Sequence, residues 1–143
     1  MNAPIPDLPH YIVGWKAWQV TKDGRLSSYY YNLYWSPREA KQATCQKTHI
    51  GFGIPHNRCS CGIYAAKSFN ELKRAVDLFP FELGAVVGRV ALWGRVIEHE
   101  FGWRAEFAYP LSFSIGSFGW FRWGFAKKVK RLRELFGVED CCF

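Results

Sequence analysis

Three of the chain's five cysteines and two of its four histidines fall between residues 45 and 61: Cys45, His49, His56, Cys59 and Cys61. Thiolate sulfur and imidazole nitrogen are the donors that Zn2+ takes in closed tetrahedral sites, and glycine in the connecting loop lets the backbone bend around an ion. Cys45-x3-His49 and Cys59-x-Cys61 form two short-spaced pairs. His56 offers a competing set, with His56-x2-Cys59-x-Cys61 joined by Cys45. Either arrangement is Cys3His and leaves one histidine spare. The expectation is one structural zinc ion that staples a loop too long to order itself.

Two other chemistries use the same residue types. Free thiols pack as small apolar side chains in a reducing compartment. A thiol with a histidine base becomes a nucleophile, but nothing local singles out one of these three. A site closed by four protein donors is not hydrolytic, because catalytic zinc keeps a position for water. No His-x-Glu accompanies Cys59-x-Cys61, so the zinc deaminase pattern is missing.

Glu98-His99-Glu100 is the other cluster of acid–base groups. Along a strand the two carboxylates share one face and the imidazole takes the other. With Arg104 and Glu106 on a returning strand, cross-strand charge pairing is the simpler expectation. Gly62-Ile63-Tyr64 matches half of a GIY nuclease signature, but no Tyr-Ile-Gly partner occurs in the chain. Phosphate loops, Gly-x-Ser-x-Gly and dinucleotide fingerprints are missing as well. These absences point to a non-catalytic protein.

The elements that must position these groups read as follows. Residues 1–10 are proline-rich and irregular. Apolar residues 11–20 predict a strand, Lys22-Asp23-Gly24 a turn, and residues 26–35 a second strand. Ser36-Pro37-Arg38-Glu39 carries the signature of a helix start and predicts a short helix to about Cys45. Residues 62–66 form a further short strand. Ser68 with Glu71 caps a helix whose apolar face is Phe69, Leu72, Ala75, Val76 and Phe79. Residues 84–100 and 103–109 predict a hairpin, and 110–119 a Ser/Gly/Phe-rich connector. Phe125, Val129, Leu132 and Phe136 mark one face of a last helix over 121–136. The sum is a single α+β domain over 1–143. Its core at 11–110 is a small, curled, barrel-like sheet of five or six strands, antiparallel or mixed, with the zinc loop at 45–61. About three helices complete it, the last of them in the segment 111–143.

Charge suggests a partner. The chain carries 19 Lys and Arg against 12 Asp and Glu, for a net charge of +7, which favours polyanions. Between Arg122 and Arg133 there are six basic residues and no acid. Arg122, Lys127, Lys128, Lys130, Arg131 and Arg133 are candidates for phosphate contacts, with Trp120 and Trp123 to stack on bases. RNA or DNA is therefore the expected partner. The alternative is a protein-interaction module, an inhibitor or adaptor, using the same aromatic and basic surface. A membrane surface fits less well, and the N-terminus lacks the pattern of a signal peptide, so the expected compartment is the cytoplasm. Aromatic residues make up 18% of the chain, which calls for a bulky core, a stacking pocket, or both.

Cys45, then Cys59-Ser-Cys61-Gly-Ile-Tyr-Ala, then Val87-Gly-Arg-Val-Ala-Leu-Trp-Gly and Glu98-His-Glu-Phe-Gly-Trp-Arg-Ala-Glu-Phe-Ala-Tyr-Pro110 form a pattern over residues 11–110. It resembles that of small, uncharacterised bacterial proteins, and the resemblance implies no activity. The Val-x-Gly-x-Val segments are more loosely similar to PUA-like barrels. That likeness implies a barrel that reads RNA or modified bases through an aromatic pocket, and it assigns no residue here.

Overall fold

The computed structural model describes residues 10–28, 34–45, 53–76, 85–115 and 124–140. Residues 1–9, 29–33, 46–52, 77–84, 116–123 and 141–143 thus lie outside the described set, among them His49, Phe79, Trp120, Arg122 and Trp123. Four strands close into a barrel: β1 (Ile12–Val20), β5 (Ile63–Ala66), β7 (Gly102–Pro110) and β6 (Ala85–Glu98). β1 runs antiparallel to β6 from Ile12↔Leu92 to Gln19↔Ala85, and β6 pairs β7 from Val90↔Pro110 to Glu98↔Trp103. β7 then pairs β5, and β5 meets β1 at Trp15↔Ala66.

Alternation along β1 assigns its two faces. Trp18 and Val20 enter the main core with Val86, Val90 and Leu92, whereas Ala17 joins Val87 and Leu72 in a second, smaller cluster. Helix α1 (Phe69–Val76) covers the smaller cluster and helix α2 (Phe125–Phe136) the main one. Ser68 caps α1 as its sequence indicates, its Oγ accepting the Glu71 N–H at 3.2 Å. Phe69 and Leu72 pack inward, but Ala75 is exposed, which narrows the apolar face. In α2 all four expected stripe residues are buried, and Gly137 ends the helix with φ 67°, where a side chain would be strained. The aromatic share goes largely into this core. Trp18 meets Trp35 and Phe113 edge-on at 5.6 and 5.4 Å, and Phe113 meets Phe136 at 5.7 Å.

Three expectations are corrected. No helix starts at Ser36. Arg38 takes φ 65°, outside the helical region, and donates its N–H to the Tyr109 hydroxyl at 3.0 Å. The chain then runs as β4 (Lys41–Gln42) along β7, so a tertiary ladder overrides a local cap pattern, and two helices are present among the described residues. Residues 26–35 are not one strand either. β2 (Leu26–Ser28) and β3 (Tyr34–Trp35) pair antiparallel with each other, bringing Leu26 and Trp35 into the core together. The connector after Pro110 contains β8 (Ser112–Ile115), which pairs β6 and, in parallel, β9 (Glu139–Asp140). Gly88 permits that crossing, since a Cβ there would lie 1.7 Å from the Ser112 carbonyl oxygen. Among the described residues nine strands therefore stand where five or six were expected.

The β1–β5 seam is short, and Lys16 extends it by donating from Nζ to the Tyr64 carbonyl at 2.9 Å. Burial lowers the Lys16 amine from 10.5 to about 8. The unfolded chain then holds the extra proton between pH 8 and 10.5, so this group's penalty is full below pH 8 and relieved as pH rises. Partial exposure screens the charge. Lys16→Met should raise stability by about 1–2 kcal/mol near neutrality and by much less at pH 9.5. Urea denaturation of both proteins at the two pH values checks this; an equal gain at both would contradict it.

Candidate metal centre

Cys45 enters the centre from the end of β4, where the Ala43 N–H donates to the Glu106 carbonyl at 2.8 Å. Cys59 and Cys61 arrive from the loop that precedes β5. Between Cys61 and the strand stands Gly62 at φ +120°, and a Cβ there would press to 3.0 Å on the Cβ atoms of both Arg104 and Pro55. The tight entry requires glycine.

The three Sγ atoms lie within 4.8 Å of one another, and those of Cys45 and Cys59 are 3.6 Å apart. Two thiolates on one tetrahedral zinc, each at about 2.3 Å, stand about 3.8 Å from each other. The cluster thus has the spacing of ligands around one ion, and it can hold a metal. All three cysteines are half-buried and joined in no disulfide. Of the two candidate histidines His56 is described and is not part of the cluster; its Nδ1 accepts the Arg58 N–H at 3.1 Å. His49, the other candidate fourth donor, lies outside the described residues.

Arg104 on β7 organises the loop. It is 4% exposed, and its guanidinium fans out over backbone oxygens. One Nη1 serves the carbonyls of both Cys59 and Cys61, the latter at 2.7 Å, and Nη2 reaches the His56 carbonyl at 3.3 Å. Nε donates to His99 Nε2 at 2.8 Å. Around it, Arg95 Nε takes the Pro55 carbonyl at 2.7 Å and the Tyr64 hydroxyl takes the Ser60 carbonyl at 2.6 Å. The carbonyls of Pro55, His56, Cys59, Ser60 and Cys61 are therefore met by side chains from the barrel wall. A divalent ion with three thiolates carries a net charge of −1, and a fixed guanidinium supplies the offsetting positive charge nearby.

The acidic cluster takes a different form from the one expected. Glu98 pairs with Lys67 at 2.9 Å, not with Arg104. His99 and Glu100 lie beyond the end of β6, in the turn, and all three residues are exposed. The register sets Arg104 opposite Ile97 and Glu98 opposite Trp103, so no carboxylate of β6 stands across from Arg104. Arg104 is the functional residue that sequence reasoning missed. Its signal was faint: alternation places it beside Glu106 on a polar face, and only the overlying loop buries it.

The basic residues of α2 divide. Lys127, Lys130 and Arg131 are exposed. Arg133 donates from Nε and Nη2 to the Phe113 carbonyl at 3.1 and 2.8 Å, and Lys128 donates to the Lys22 carbonyl at 3.0 Å. Among the described residues no helix is long and apolar enough to cross a membrane. Comparison with family models, curated proteins and solved structures gives no match to this chain.

Proposed function

We propose that the chain is a non-catalytic nucleic-acid-binding module whose Cys45, Cys59 and Cys61 hold one structural Zn2+, with His49 or His56 as the fourth ligand. The observation that carries the metal reading is the convergence of three thiols from two separate segments on one point. Thiolate donors favour zinc over harder ions. The proposal includes a reducing compartment, the cytoplasm, where thiols persist as metal ligands. A PUA-like barrel belongs to the same proposal, supported by the closed ring of four strands.

Nucleic-acid binding is supported by charge and placement. Lys127, Lys130 and Arg131 project from α2 opposite its buried stripe, on a chain of net charge +7. Trp120, Arg122 and Trp123 precede that helix in the sequence and complete the proposed set of contact residues. Phosphate contacts release counterions, so binding to a labelled single-stranded RNA should weaken steeply with salt. Lys130→Ala should weaken all sequences about equally and reduce the slope of log K against log salt by about 0.7. Fluorescence anisotropy across a salt series measures both, and salt-insensitive binding would contradict the proposal.

One observation favours a protein partner instead. Tyr11, Ile12 and Val13, at the start of β1, are all exposed and apolar. A contact through them would depend little on salt.

A further inference from the structure

The β1–β2 turn and β3 bring together cations and a ring that the sequence keeps apart. Lys128 of α2 reaches the carbonyl of Lys22 in that turn. Three residues on, the Arg25 guanidinium lies 3.6 Å over the centroid of the Tyr34 ring. Tyr34 is 41% exposed and belongs to β3, which ends the strand order of the sheet. Lys41 closes the row, donating from Nζ to the Tyr34 carbonyl at 3.0 Å.

Two acids border this row. Asp23 is engaged by the Thr21 hydroxyl, and the charges of Arg25 and Lys128 add to the lowering of its pKa. Glu39 acts on Lys41. The cations outnumber them: Lys22, Arg25, Lys41 and Lys128 stand in the row, and Lys127, Lys130 and Arg131 lie on the exposed face of α2.

We propose that single-stranded nucleic acid lies along this track, from the basic face of α2 over the β1–β2 turn to β3, with one base stacked on the Arg25–Tyr34 pair. The inference rests on the nucleic-acid reading above and gives it a path. Phosphates follow the cations, and the guanidinium stacked on a phenol ring presents a flat, charged face of the kind on which unpaired bases settle. A duplex hides its base faces, so the track selects single strands. Exposed Tyr34 at a sheet edge gives a base room to approach.

The test is anisotropy with a labelled single-stranded RNA of about a dozen nucleotides and with the same sequence as a duplex. Tyr34→Thr removes the ring and keeps a strand-forming residue; Tyr34→Phe keeps the ring; Arg25→Ala removes the cation from a turn. The expected results are about tenfold weaker binding by Tyr34→Thr with an unchanged salt slope, and wild-type binding by Tyr34→Phe. Arg25→Ala should bind more weakly with a slope lower by about 0.7. If the wild type binds and Lys130→Ala weakens it, but Tyr34→Thr and Arg25→Ala both match the wild type, the track is overturned and the nucleic-acid reading stands. Binding that prefers the duplex also overturns the track. If the wild type binds neither RNA, both fall.

Discussion

Arg104→Met is expected to destabilise the protein by about 3–5 kcal/mol. The guanidinium serves the carbonyls of His56, Cys59 and Cys61 and the ring of His99, and no water-exposed group can replace it at 4% exposure. The half-buried carbonyls of Cys59 and Cys61 lose this donor, at about 1–3 kcal/mol each, whereas that of His56 keeps the Cys59 N–H at 3.0 Å. Methionine matches the stem in length, so the loss measures the hydrogen bonds more than the packing. Arg104→Lys should recover only a minor part, because one ammonium cannot reach acceptors on both sides of the fork. Urea denaturation followed by circular dichroism reads the change. A loss under about 1 kcal/mol for Arg104→Met would show that the loop is held by something else.

Metal removal is the second large effect. An ion that binds the folded chain at a free concentration about a thousandfold above its Kd adds about 4 kcal/mol to stability. In a domain of this size that corresponds to about 12 °C in Tm. A chelator should therefore lower the Tm of the reduced wild type by about that amount and leave Cys45→Ser and Cys59→Ser unchanged, since those variants start without the ion. The barrel should survive in all of them. Its core, from Trp18 and Leu92 to Phe113 and Phe136, comes from the strands and α2, with Ile54 of the loop packed at its side. Near-native far-UV dichroism with a lowered Tm is the expected signature, and an identical chelator shift in wild type and Cys45→Ser would contradict it.

What was legible in the sequence is what local chemistry and period dictate. The stripe Phe125, Val129, Leu132 and Phe136 is spaced for one helix face and is buried as such. Ser68 with Glu71 caps α1, and the cysteines stand out by type alone. What failed depended on distant partners. Ser36-Pro37-x-Glu39 is a good cap pattern, but β7 offers the following residues a ladder, and a ladder to a buried strand outweighs a short helix with no core face. β8 could not be read from its Ser/Phe composition, because its place depends on the missing side chain of Gly88, a strand away. Arg104 was read as one member of a surface charge pair. It is buried because the cysteine loop crosses over it, and that crossing has no mark in the residues near Arg104.

Metal content tests the central claim most directly. Protein purified under reducing conditions without added zinc is subjected to elemental analysis, together with Cys45→Ser, Cys59→Ser, His49→Ala and His56→Ala. The expected result is about one zinc per chain in the wild type, absent from the cysteine variants and lost in one histidine variant alone, which names the fourth ligand. Reduced, folded protein that holds no metal would contradict the structural zinc, and the three neighbouring thiols would then have to be explained as a packed or reactive cluster.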